Sequence, residues 1–134
     1  MLSNCKLINF DIAQDKRGKL LPIEGERNIP FQIRRIYYLF DIPLDAFRGG
    51  HAHKDLHQVI IAISGSFDVH IDDGKIKKTF RLSRSSQGLY VCPMIWREID
   101  NFSSGAVCLV LASDIYNESD YYRDYKEFKS NIKI

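Results

Sequence analysis

Short apolar runs alternate with turn residues along this chain at intervals of about eight to twelve residues, the rhythm of an all-β sandwich or barrel. The runs at 33–40, QVIIAIS at 58–64, SFDVHI at 66–71, IKKTFRL at 76–82, GLYVC at 88–92 and AVCLVLA at 106–112 read as strands, rich in β-branched and aromatic residues. Asp72, Asp73 and Gly74 mark a hairpin between the third and fourth of these. In SFDVHI the alternation is strict. Phe67, Val69 and Ile71 share one face, while Ser66, Asp68, His70 and Asp72 share the other, so His70 is expected as a solvated surface histidine. QVIIAIS is apolar on both faces, Val59, Ile61 and Ile63 on one and Ile60 and Ala62 on the other, which predicts a strand buried on both sides. Counted by the same parity, His51 and His53 lie on the Val59 face, at the mouth of a barrel. Leu7 to Phe10 reads as an edge strand that needs a partner. Only the tail breaks the rhythm. Ser119 is a candidate cap for a short helix, on which Tyr121, Tyr125 and Phe128 would share one face. No repeat, low-complexity tract or linker divides the chain. Residues 1–134 are therefore predicted to form one domain, an all-β jelly-roll barrel with a short C-terminal helical segment.

Composition narrows the function classes. Nineteen basic residues against seventeen acidic give a net charge of +2, too small a bias to argue for nucleic acid or a membrane surface. No apolar run approaches the roughly eighteen residues that span a bilayer. The opening segment carries Asp11 and Asp15 and lacks the apolar centre of a secretion signal. Cys5, Cys92 and Cys108 are odd in number, far apart and without CxxC spacing, so they read as buried free thiols of a reducing cytoplasm.

Candidate chemistry concentrates in RGGHAHKDLHQVI, residues 48–60. His51 and His53 are two apart and share a face on an extended strand. Arg48, Gly49 and Gly50 before them form a flexible turn that lets the chain approach a ligand. The cluster suits metal ligation or acid–base work. A three-histidine metal site from His51, His53 and His57 is open on residue type alone.

HAH after a glycine pair, followed by a strand and later by GLYVCP, resembles the two short motifs of the cupin superfamily. Metal-binding cupins continue the first motif to a glutamate and supply one more histidine from the second. Here the glutamate position holds His57, and CPMIWREIDN offers Trp96, Arg97 and Glu98 but no histidine. A guanidinium stays protonated and cannot ligate a metal at neutral pH. No metal and no cofactor are expected.

A wider window gives a closer resemblance. RGGHAHK, RRIYYLF, GLYVCPMIW, LASDIYNESDYYRDYKEF and an early RGKL near NIPF together resemble the dTDP-4-keto-6-deoxyglucose 3,4-ketoisomerases, small metal-free cupins. The likeness runs from about Ile8 to Phe128. It implies an isomerase that moves a carbonyl from C4 to C3 of a dTDP-linked 4-keto-6-deoxyhexose, for 3-amino-3,6-dideoxysugar synthesis. It implies His51 as the C3 base, His53 as a proton shuttle and Tyr37 as its hydroxyl partner. Arg35 and Arg48 become candidates for the diphosphate, and Tyr90 and Trp96 for the thymine or the pocket wall. Arg17 and Gly18 fall where the family distinguishes its galacto and gluco products, and they resemble the galacto branch. Arg97 stands where the family often has histidine. A homodimer with exchanged N-terminal strands is implied as well. Two other readings stay open: a dTDP-sugar 3,5-epimerase, and a non-catalytic cupin that binds a sugar nucleotide.

Overall fold

The structure, a computed structural model, describes residues 1–133. Its strands are β1 (Lys6–Asn9), β2 (Ala13–Asp15), β3 (Gly18–Leu20), β4 (Arg35–Leu39), β5 (Arg48–His53), β6 (Gln58–Ser64), β7 (Phe67–Asp72), β8 (Lys77–Leu82), β9 (Gln87–Val91), β10 (Trp96–Asp100), β11 (Val107–Ala112) and β12 (Tyr121–Tyr122), followed by helix α1 (Tyr125–Ser130). Two five-stranded sheets, ordered β1-β9-β6-β11-β4 and β12-β5-β10-β7-β8, face each other, and β2 and β3 form a separate hairpin. The expected all-β jelly roll is therefore present.

The core follows from the alternation. Phe67, Val69 and Ile71 of β7 meet Ile60, Leu89 and Val110 of the opposite sheet in one buried cluster. Each fully buried side chain of this size contributes roughly 1.5–3 kcal/mol. β6 is buried on both faces through Ala62, as its apolar run requires, and becomes exposed at Ile63.

Three expectations need correction. The histidines are not on the QVIIAIS strand. His51 and His53 end β5, a turn intervenes, and β6 belongs to the opposite sheet. Parity cannot be counted through a turn. The tail helix starts later than Ser119: residues 118–120 form a single 3-10 turn, Tyr121 and Tyr122 pair with β5, and Asp124 caps α1 through Lys126 N–H. Aromatic residues suit strands as readily as helices, so the spacing misleads there. His70 is half-buried rather than freely solvated, since Nδ1 and Nε2 bond Thr79 Oγ1 and Asp100 Oδ1, both at 2.7 Å.

Candidate active site

Strand β5 delivers the two histidines. Gly49 and Gly50 take left-handed backbone, and the register with β10 shifts between Arg97 and Glu98. A Cβ on Gly49 would stand 2.9 Å from the Arg97 carbonyl oxygen, so glycine is required there. This bulge sets the aim of the residues that follow. Ala52 packs outward against Trp96, Tyr122 and Phe128, while His51 and His53 turn inward. Their rings meet edge to face with centroids 4.9 Å apart, and the Tyr121 ring lies 5.1 Å from His51 and 4.3 Å from His53.

Burial makes both imidazoles poor proton holders. It lowers the pKa of His51 to about 3 and of His53 to about 2, with the Arg97 charge acting in the same direction. Both rings are neutral at pH 7. The 3.0 Å contact of His53 Nδ1 with Asp120 Oδ2 is thus a hydrogen bond donated by a neutral ring to a carboxylate. It places the ring proton on Nδ1 and leaves the lone pair on Nε2. Asp120 is itself held, since Asp55 N–H donates to Oδ1 at 2.8 Å and Lys54 N–H to its carbonyl at 2.8 Å.

Arg97 is buried among these groups. Its guanidinium donates to Gln58 Oε1 and, at 2.9 Å, to the Ile95 carbonyl, with no carboxylate in ion-pair range among the described residues. Gln58 Nε2 lies 3.2 Å from Tyr37 Oη, and burial raises the Tyr37 pKa, which keeps that phenol protonated. Among the described residues, four buried polar side-chain atoms have no hydrogen-bond partner: Arg35 Nε, His51 Nε2, His53 Nε2 and Arg97 Nε. Native proteins pair nearly all such groups. Here the four border adjoining cavities: His53 and Arg35 line one of about 170 Å³, while Arg35, His51 and Arg97 border a second pocket.

That pocket has a narrow inner chamber of about 70 Å³ walled by Tyr37, His51, Gln58 and Arg97. An outer cleft of about 510 Å³ shares Tyr37, Arg48 and His51 with it and adds Arg35, Tyr116 and Arg123. Arginines at the mouth suit a diphosphate, which their planar donors can grip in pairs. Arg123 lies over the Tyr121 ring at 4.2 Å and is held by Glu118 at 2.7 and 2.8 Å.

The structure thus brings together His51, His53, Tyr37, Arg35 and Arg48 as the sequence suggests. It leaves out four candidates. Trp96 has the parity opposite to Arg97 and packs outside the barrel on Tyr125 and Phe128, centroids 5.4 and 5.9 Å away. Tyr90 sits across from Val59, away from the chamber, with its hydroxyl 2.7 Å from His57 Nδ1. Arg17 and Gly18 lie on the β2–β3 hairpin in solvent, where Arg17 pairs with Asp15 at 2.6 Å. His57, engaged by Tyr90, stands apart from His51 and His53, and no three His, Cys, Asp or Glu side chains among the described residues are grouped to hold a metal ion. Sequence reasoning missed Gln58, Asp120, Tyr121 and Arg123. The signal for the last three was the acidic–aromatic–basic run ESDYYR, which lies in a stretch that carries the family resemblance but whose spacing suggests a helix.

Comparison with known proteins shows the chain's relatives. The TDP-4-oxo-6-deoxy-alpha-D-glucose-3,4-oxoisomerase of Aneurinibacillus thermoaerophilus is 49% identical over 127 residues, which cover 95% of this chain and 91% of that protein. A crystal structure of a histidine-to-asparagine mutant of the 3,4-ketoisomerase QdtA from Thermoanaerobacterium thermosaccharolyticum, in complex with TDP-4-keto-6-deoxyglucose, superposes with a TM-score of 0.95 at 43% identity, covering 98% of this chain and 96% of that one. The WlaRB TDP-quinovose 3,4-ketoisomerase from Campylobacter jejuni superposes at 0.92 with 47% identity, covering 96% and 98%. Residues 3–133 match the family described as FdtA, WxcM-like, C-terminal, and the chain belongs to that family.

Proposed function

We infer that this protein is a sugar-nucleotide 3,4-ketoisomerase that moves the carbonyl of TDP-4-keto-6-deoxyglucose from C4 to C3. The observation that carries the reading is the pair of neutral, buried imidazoles with both Nε2 atoms unpartnered, in a chain 49% identical to a 3,4-oxoisomerase. The C4 ketone acidifies the C3 proton. His51 removes it, giving an enediolate, and the same proton or its solvent replacement is returned to C4. Meanwhile the O3 proton must reach O4, and His53 with Tyr37 forms the relay. Neutral imidazole suits both steps, since each needs a lone pair at the outset. Arg97 lies where it offsets negative charge developing on the enediolate. Arg35, Arg48 and Arg123 hold the diphosphate. The galacto configuration at C4 rests only on the resemblance of Arg17 and Gly18 to the galacto branch, since the hairpin that carries them lies outside the pocket, whereas the Campylobacter relative is named for a quinovose, gluco-configured sugar.

The test is incubation of EDTA-treated protein with the keto sugar in deuterated water, followed by NMR. The expected outcome is a 3-keto sugar, with deuterium at C4 to the extent that the proton taken up by His51 exchanges with solvent before its return. A parallel run in ordinary water reads the H4–H5 coupling, small for galacto and large for gluco. An unchanged sugar that nonetheless protects the protein from heat would replace this reading with the non-catalytic sugar-nucleotide-binding one.

The assembly we propose is a homodimer with exchanged N-terminal strands. Two features support it. Every strand residue of the β2–β3 hairpin is exposed, and Ile36, Tyr38 and Phe40 form an uncovered apolar stripe along the edge strand β4. Light scattering is expected to give twice the chain mass, with the monomer mass as the contrary result. The proposed compartment is the cytoplasm, supported by three free cysteines.

A further inference from the structure

Gln58 opens β6, and its side-chain amide is buried at 1% exposure between two groups of the site. Polar groups are rarely placed there without a task, because an amide taken out of water must be bonded at both ends. Its bonds fix its orientation. The Arg97 guanidinium has only donors, so the atom facing it is the amide oxygen. The amide nitrogen then faces Tyr37 Oη at 3.2 Å. That nitrogen only donates, so the Tyr37 oxygen accepts. The single phenolic proton must point elsewhere, and Tyr37 also walls the chamber that holds His51. Arg97 cannot swing away to release the amide, because its other terminal nitrogen donates to the Ile95 carbonyl at 2.9 Å.

We propose that Gln58 is a positioning residue: locked by Arg97, it turns the Tyr37 O–H toward the sugar oxygens and holds it there. This rests on the reading of Tyr37 as a member of the proton relay. A purely structural Gln58 would serve Arg97 alone, and its loss would lower stability without a specific effect on turnover.

Gln58→Glu separates the two. A carboxylate is nearly the same size, still accepts from Arg97, and accepts rather than donates at its other end. The Tyr37 proton is then drawn into that carboxylate and away from the substrate. The expected result is a kcat lower by about 10²-fold, the lower end of what one positioned proton-transfer group supplies. KM for the keto sugar and Kd for TDP stay within about twofold. Tyr37→Phe alone slows turnover by a similar factor, and adding Gln58→Glu to it costs less than about threefold more, because the two changes remove one interaction. Gln58→Met is the second variant, should the buried carboxylate prevent folding. It releases the phenol to rotate freely, and its smaller loss in kcat must likewise vanish when Tyr37 is Phe. Full turnover in the Gln58 variants beside a slow Tyr37→Phe overturns the proposal and spares the relay. Losses that multiply in the double variants overturn it too, since Gln58 would then act through another group. Full turnover in Tyr37→Phe removes the relay reading and this proposal with it.

Discussion

Replacing His51 by asparagine is expected to slow isomerisation by about 10⁴-fold while leaving TDP affinity within about twofold. The figure is the upper end for a single proton-transfer group and corresponds to about 5.5 kcal/mol of transition-state stabilisation. Asparagine occupies similar space beside Tyr121 and Gly49 but has no basic lone pair at neutral pH. His53 cannot stand in. Its Nδ1 is tied to Asp120 and its ring is set edge-on to His51 at 4.9 Å between centroids, and in the proposed mechanism its Nε2 serves the oxygens rather than C3. The histidine-to-asparagine mutant of the Thermoanaerobacterium enzyme, seen with the keto sugar in its site, is a relative in which substrate binding survives such a change. Single-turnover NMR in deuterated water measures the loss directly. A variant that keeps more than about one per cent of the rate, or still places deuterium at C4, would show that another group is the base. The parent enzyme carries a companion expectation. With the His51 pKa lowered to about 3, the base stays unprotonated on acidification, so kcat/KM for the free enzyme holds level through pH 6.5, where an ordinary histidine would begin to fail.

The β strands are legible in this sequence wherever one face is strictly apolar, as in β7, or both are, as in β6. Burial enforces the period, and a one-residue slip would expose Phe67, Val69 and Ile71. His51, His53, Tyr37, Arg35 and Arg48 are legible because unusual residue types crowd within short stretches that also carry the family resemblance. What the chain conceals is partnership. Asp120 meets His53 across 67 positions, and although the tail stretch that holds it carries part of the family resemblance, nothing in it points to His53 as the partner. Gln58 looks like the polar flank of an apolar run until β10 brings Arg97 against it. Trp96 and Tyr90 mislead for the converse reason. Large aromatics beside a motif attract a functional assignment, yet their strand parity sends them to the other side of the sheet. Position 97, doubtful in sequence for want of a histidine, holds a cation whose charge adds to burial in lowering the pKa of both imidazoles.

The carboxylate that sequence could not identify leads to the second large effect. Asp120→Asn is expected to lower kcat by about 10³-fold with KM nearly unchanged. The wild-type carboxylate accepts the Nδ1 proton of His53 at 3.0 Å, so Nε2 keeps a lone pair with no partner among the described residues. In the variant the amide oxygen keeps the Asp55 N–H bond, and the amide nitrogen turns to His53. That nitrogen donates, so Nδ1 must accept, and the ring proton moves to Nε2. The ring stays in place with the wrong tautomer, a change that is severe in catalytic histidine–carboxylate pairs generally. A neutral ring bearing its proton on Nε2 can no longer collect the O3 proton. Folding should survive, because β12 docks on β5 through backbone pairing and Lys54 bonds the Asp120 carbonyl rather than its side chain. Nitrogen-15 NMR of labelled histidine reads the tautomer independently of rate. His53 should be protonated on Nδ1 in the parent and on Nε2 in the variant. If the parent already carries the proton on Nε2, or if the variant turns over at the parental rate, His53 does not relay protons through its Nε2 lone pair. Should the tautomer switch and the rate fall together, the Asp120 carboxylate has set the direction of proton flow without touching the sugar.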